Sequence, residues 1–356
     1  MQATLGHAYD GGPHTSPPRL GRMREITRPV PLCLPGGRLN PEAAGFTRQP
    51  LHTSDGLPSG PLHLWRTKRW DYWGITTERF VLGMTVAHLD YAAVMQAYFY
   101  DRLTGKEIVQ DERKAFPGAG TVRLPDGLPP LSVGGRLEPL RLRFADQPDG
   151  RVVLWLESPR IQAVLEVAPG GESLGVVVPW SAKRYQYTLK DVGRPVSGIL
   201  QVDGEELDVE GPDAFAALDR GRGRWPYSMR WNWAVAAGTL PDGRRLGLQL
   251  GGKWTEGTGA TENALFLDGL VHHHDGELAF SYDPADPQAA WTVSGDWIEA
   301  KLDPFHLRHA RTGALVVSGT THQAFGRWSG WAAAPDGTRL DLAGLTGWAE
   351  EAANRW

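Results

Sequence analysis

Residues 65–86 read WRTKRWDYWGITTERFVLGMTV, and residues 229–250 read MRWNWAVAAGTLPDGRRLGLQL. Both stretches string aromatic and aliphatic residues together and break them with short polar turns, the pattern of neighbouring strands. Alternation along a strand puts Trp70 and Tyr72 on one face, and Trp231 and Trp233 on one face. In each half a strand-like segment follows (RFVLGMTV; RRLGLQL), then an aromatic strand ending in aspartate (AYFYD, Asp101; ALFLD, Asp268). The spacing is nearly the same in both halves, which predicts a duplicated β unit.

The rest of the chain extends this reading. LEPLRLRF (137–144) and RVVLWLE (151–157) flank the turn DQPDG, and ILQVDGEELDV (199–209) carries an Asp-Gly pair, a strong hairpin signal. Similar turns occur at Pro241-Asp-Gly, His274-Asp-Gly and Pro335-Asp-Gly. Hairpins at this spacing predict antiparallel barrels or sandwiches. Two short helices are expected: Gly211–Asp219, with Pro212 in its first turn, and the terminal LTGWAEEAANRW, where Trp348, Ala352 and Trp356 fall four apart. The expected organisation is a disordered lead-in over 1–22, an entry segment over 23–60, β halves over 61–210 and 222–356, and a linker over 211–221. Met23 opens a texture (MREITRPVPLC) that reads like a protein start.

Composition narrows the function. The 356 residues carry 37 basic and 41 acidic side chains, a formal charge of −4. That balance argues against nucleic acid as the main partner. A single cysteine, Cys33, excludes an intramolecular disulfide framework. No apolar run reaches the ~18 residues of a membrane span, and the N-terminus lacks the regions of a signal peptide, so a cytoplasmic location is expected. No GxSxG, Walker A, HExxH or post-strand GxGxxG motif occurs, and no cofactor or metal is expected.

Fifteen tryptophans outnumber the ten phenylalanines and nine tyrosines. They serve either core packing or an aromatic cavity for a flat, polyene or sugar ligand. The densest polar segment is GGKWTEGTGATENALFLDG (251–269), with Lys253, Trp254, Glu256, Glu262 and Asn263 beside an apolar strand. A desolvated Glu262 there is a candidate proton donor; the alternative is that it pairs with Lys253 or an arginine to hold the loop. In GTTHQAFGRWSGW (319–331), His322, Gln323 and Arg327 are further candidates. Arg220, Arg222, Arg224 and Arg230 form either an anion site or a set of carbonyl and carboxylate partners. His272, His273 and His274 are consecutive, so alternation prevents three side chains from converging on one ion.

Together, MREITRPVPLC, KRWDYW, RWPYSMRWNWA, GGKWTEGTGATENALF, HQAFGRWSGW and GWAEE resemble the bacterial domain-of-unknown-function family 2804 over Met23–Trp356. More distantly, the chain is similar to the AttH and carotenoid 1,2-hydratase group. That resemblance implies two lipocalin-like antiparallel β-barrel halves side by side, and hydratase or cyclase chemistry on apolar ligands. The expected function is therefore binding of a hydrophobic small molecule, isoprenoid or polyene-like, in an aromatic barrel cavity. Acid-assisted hydration, isomerisation or cyclisation would follow, with Glu262 (or Glu256) as the acid and His322 orienting water or the acid. Trp231, Trp233 and Trp254 would stabilise positive charge, with Trp70, Tyr72, Lys253, Asn263, Gln323 and Arg327 completing the ligand site. A non-catalytic carrier and a carbohydrate-active protein with paired carboxylates are the alternatives.

Overall fold

The computed structural model describes residues 22–356 except 119, 287, 315, 316 and 356; the lead-in expected over 1–22 lies, apart from Arg22, outside the described residues. The chain forms two curled antiparallel half-barrels, a sheet of fourteen strands followed by one of ten. The helical turns among the described residues are Pro41–Ala43 and Pro61–His63.

Each half is built on one plan. An opening strand (Thr67–Thr76; Ser228–Thr239) starts a four-stranded meander, and a closing strand (Phe215–Arg224; Thr346–Arg355) returns to lie beside it. A long strand (Arg184–Val202; Val317–Ala333) pairs with the closing strand on its other side. The segments around Trp70 and Trp231 thus occupy equivalent strands, as the repeat predicts.

Two expectations of helix fail. The terminal stretch is the closing strand of the second half, hydrogen-bonded on both edges to Ser228–Thr239 and Val317–Ala333. Residues 211–219, read as a helix and as part of a linker, run into the strand Phe215–Arg224, which completes the first sheet. In both cases pairing on two edges overrides the local preference of alanine and glutamate for helix. His274-Asp275-Gly276 does not close a hairpin either, because the strand that follows pairs elsewhere.

Alternation divides the apolar residues of the two sheets into three cores. Trp73 and Ile75 point into the first half, and Ala234 and Ala236 into the second. Trp233 and Val235 point instead into a third core between the halves, with Phe325 and Trp348, and Trp70, Tyr72 and Trp231 pack against it. The entry segment straps the halves together: Arg48 pairs with Glu172 at 3.0 Å and donates to the Val271 carbonyl, while the Met23 N–H donates to Asp275 at 2.8 Å.

Candidate functional site

The cavity lies in the third core, between the halves, and not inside either barrel as expected, because the barrel interiors are filled by their own aliphatic and aromatic side chains. Its volume is about 290 Å³, near the lower end of the ~300–1,000 Å³ typical of small-molecule sites. Six aromatic side chains line it: Trp70, Tyr72, Trp225, Trp231, Trp233 and Trp254. Trp225 stacks on Trp254 (5.6 Å, 20°) and meets Trp70 and Trp231 edge to face at 5.5 and 5.8 Å. Tyr72 meets Trp233 at 5.7 Å.

The polar groups follow the repeat, position by position. Trp70 lies opposite Gly221 in the first closing strand, and Trp231 opposite Ala352 in the second. Each indole leans over its small partner to a carboxylate two residues away: Trp70 Nε1 donates to Asp219 at 3.0 Å, and Trp231 Nε1 to Glu350 at 2.9 Å. A Cβ on Gly221 would overlap the Trp70 ring as it is placed, so the first half needs glycine here where the second accommodates Ala352. Asp219 is opposite Lys190 on the long strand, whereas Glu350 is opposite Gln323.

That difference gives one carboxylate a cation and the other an amide. Lys190 Nζ forms an ion pair with Asp219 at 2.8 Å and sits 4.6 Å over the Trp233 ring. Burial works against the ammonium, yet Asp219 and Glu262 hold it above the ordinary lysine range. Glu350 has no such partner. Burial pushes its carboxyl up to about 7, against the Trp231 N–H and with Asp219 adding to the rise.

Glu262 is the second buried acid, 2% exposed. Burial pushes it up to about 7 as well, opposed by Lys190 and by the donors Thr188 and Trp254. It pairs with neither Lys253 nor an arginine. Thus the segment 251–269 does deliver a carboxyl to the cavity, from the loop that leads into the strand Asn263–Leu267.

Trp70, Tyr72, Trp231, Trp233, Trp254, Glu262 and Gln323 line the cavity. The other expected residues do not, for reasons of alternation and turn geometry. Glu256 is exposed at the tip of the loop. Lys253 turns away to Tyr282 (2.7 Å) and Glu351 (3.0 Å). Asn263 is buried but bonds the backbone at Gly251 and Gly276, closing the loop. His322 points to the opposite side of the strand from Gln323 and stacks on His309 at 4.3 Å; Arg327 shares the face of Gln323 and Phe325 but lies beyond the cavity and is exposed. Nor do the three histidines converge: His273 stacks on Phe46 and His274 on Trp297. Arg220 and Arg222 are committed to Asp71 inside the first half, at 2.7 and 2.8 Å. Lys190, Asp219 and Glu350 were missed; the signal for all three was a charge inside an otherwise apolar strand (YTLKD, FAALD, GWAE).

The family model of DUF2804, a domain of unknown function, matches residues 23–356. No curated protein matches the chain. Among solved structures, it is similar to a protein described as an AttH from Nitrosomonas europaea, with 16% identity, a TM-score of 0.51, and coverage of 81% of this chain and 92% of that one. It is also similar to kievitone hydratase from Nectria haematococca, with 11% identity, a TM-score of 0.47, and coverage of 81% and 88%. At these identities the first likeness shows a shared lipocalin-like fold, and neither speaks to chemistry.

Proposed function

The chain belongs to the DUF2804 family, and from the geometry of its cavity we propose that it binds a hydrophobic small molecule, isoprenoid or polyene-like, and transforms it by proton transfer. The observation that carries this reading is that two buried carboxyl groups, Glu262 and Glu350, line one cavity beside its tryptophans, where burial pushes both up to about 7. A group with a pKa near ambient pH is the most useful proton donor or acceptor. Two of them supply one of each.

In the hydration form of the reaction, the Glu262 O–H proton passes to one alkene carbon, and the π pair becomes the new C–H bond. A water oxygen bonds to the adjacent carbon, and ionised Glu350 takes the proton that water releases. The net change is addition of one water; a proton returned from Glu350 to Glu262 through solvent resets the site. Isomerisation and cyclisation begin with the same donation. Trp233 is a poor partner for a free carbocation, since the Lys190 ammonium already lies over its ring. A polarised alkene, protonated as water adds, suits the site better.

The test is to identify by mass spectrometry the small molecule that co-purifies with the native protein, then incubate it with fresh protein in D2O. The expected product carries deuterium on carbon, and Glu262→Gln abolishes its formation while retaining the ligand. Return of the molecule unchanged and undeuterated would make the protein a carrier.

A further inference from the structure

Arg308 lines the cavity at its half-buried end, near Thr321, Gln96 and Asn354. Its guanidinium stands 4.4 Å over the Tyr98 ring. Among the described residues it makes no ion pair and no hydrogen bond, although its charge reaches Glu350 and Tyr72. A guanidinium held over an aromatic ring, with no hydrogen-bond partner of its own, has N–H groups to offer as the fork that matches a carboxylate. The other cation of the cavity, Lys190, is already neutralised by Asp219.

Deepening the reading proposed above, and resting on it, we propose that the apolar substrate carries a single carboxylate, which Arg308 holds at the half-buried end of the cavity. Charge selects a monoanion: one cation is left unpaired once Lys190 and Asp219 are matched, so a diphosphate would find too little positive charge. Register fixes the distance. Arg308 is opposite Gln323, and Gln323 is opposite Glu350. Two strand spacings of about 4.8 Å put the Arg308 backbone roughly 10 Å from that of Glu350 along this row. The carboxylate is therefore an anchor remote from the reacting bond, and its binding energy positions the chain for proton transfer.

The experiment compares geranic acid with its methyl ester, titrated at neutral pH against the fluorescence of the cavity tryptophans. Wild type is expected to bind the acid at least tenfold more tightly than the ester. Arg308→Gln lowers affinity for the acid to that for the ester and leaves the ester unchanged; Arg308→Lys retains part of the preference. Equal binding of acid and ester by wild type, or a preference that survives in Arg308→Gln, overturns the proposal and leaves the cavity reading standing. Binding of neither probe overturns the cavity reading and this proposal with it.

Discussion

Gln323 occupies in the second half the place that Lys190 occupies in the first. Each lies on the long strand, opposite the closing-strand carboxylate that accepts an indole N–H: Asp219 for Lys190, Glu350 for Gln323. The repeat has kept the scaffold of tryptophan over carboxylate and changed the partner. With a cation opposite, one half holds a buried ion pair; with an amide opposite, the other holds a carboxyl pushed up to about 7. A site of two like halves thereby becomes chemically polar.

Gln323→Lys should undo this difference. An ammonium opposite Glu350 favours the carboxylate, so the carboxyl should titrate at least one unit lower. The fluorescence of Trp231, which donates to Glu350, reports the titration as the difference between this variant with and without Trp231→Phe. A midpoint that stays near 7 would mean that Gln323 does not set the ionisation of Glu350.

Lys190→Gln should do the reverse damage in the first half. It strands Asp219, and removing one partner of a buried pair costs on the order of 3–5 kcal/mol. Chemical denaturation measures it. A loss below about 1 kcal/mol would show that solvent reaches Asp219 freely.

Glu262→Gln should change how stability depends on pH. With a folded pKa near 7 and an ordinary value of 4.5, the native state keeps a proton that the unfolded chain has released. The stability this gives is full below about 4.5 and is lost as pH rises through 7, on the order of 3 kcal/mol in all. The variant lacks this loss, so its stability relative to wild type should rise between about pH 4.5 and pH 7. Parallel curves for the two proteins would contradict the shift.

Gly221→Val tests the lean of Trp70. The new side chain occupies the space of the indole, should separate Trp70 from Asp219, and should cost roughly 1–3 kcal/mol as overpacking does. Weaker binding of the apolar ester probe should accompany it. Ala352→Val probes the equivalent place beneath Trp231 and should act in the same direction.

Much of this was legible in the chain. Alternation in KRWDYW and MRWNWA correctly grouped Trp70 with Tyr72 and Trp231 with Trp233, and the shared motif order exposed the duplication. Alternation does not tell which face of a sheet is the inside of a barrel, so the cavity was assigned to the wrong side of the same strands. The terminal segment misled for a definite reason. A spacing of four, as between Trp348 and Ala352, keeps residues on one face of a helix and on one face of a strand alike. Read as a strand, Trp348, Glu350 and Ala352 share the face toward the cavity, and Glu350 would have been found. Lys190 and Asp219 meet only through strand pairing between residues distant in sequence, which no local pattern encodes. Glu262 was visible because one loop concentrates carboxyls, hydroxyls and glycines beside an apolar strand, whereas its partner Thr188 was not.

The most direct test of the account is the titration of the glutamate carboxyl carbons by 13C NMR in wild type, Glu262→Gln and Glu350→Gln. Two resonances are expected to titrate near pH 7, with one lost in each variant, while the exposed glutamates titrate close to 4.5. If every glutamate titrates in the ordinary range, the cavity holds no neutral acid at physiological pH, and proton donation by Glu262 is contradicted.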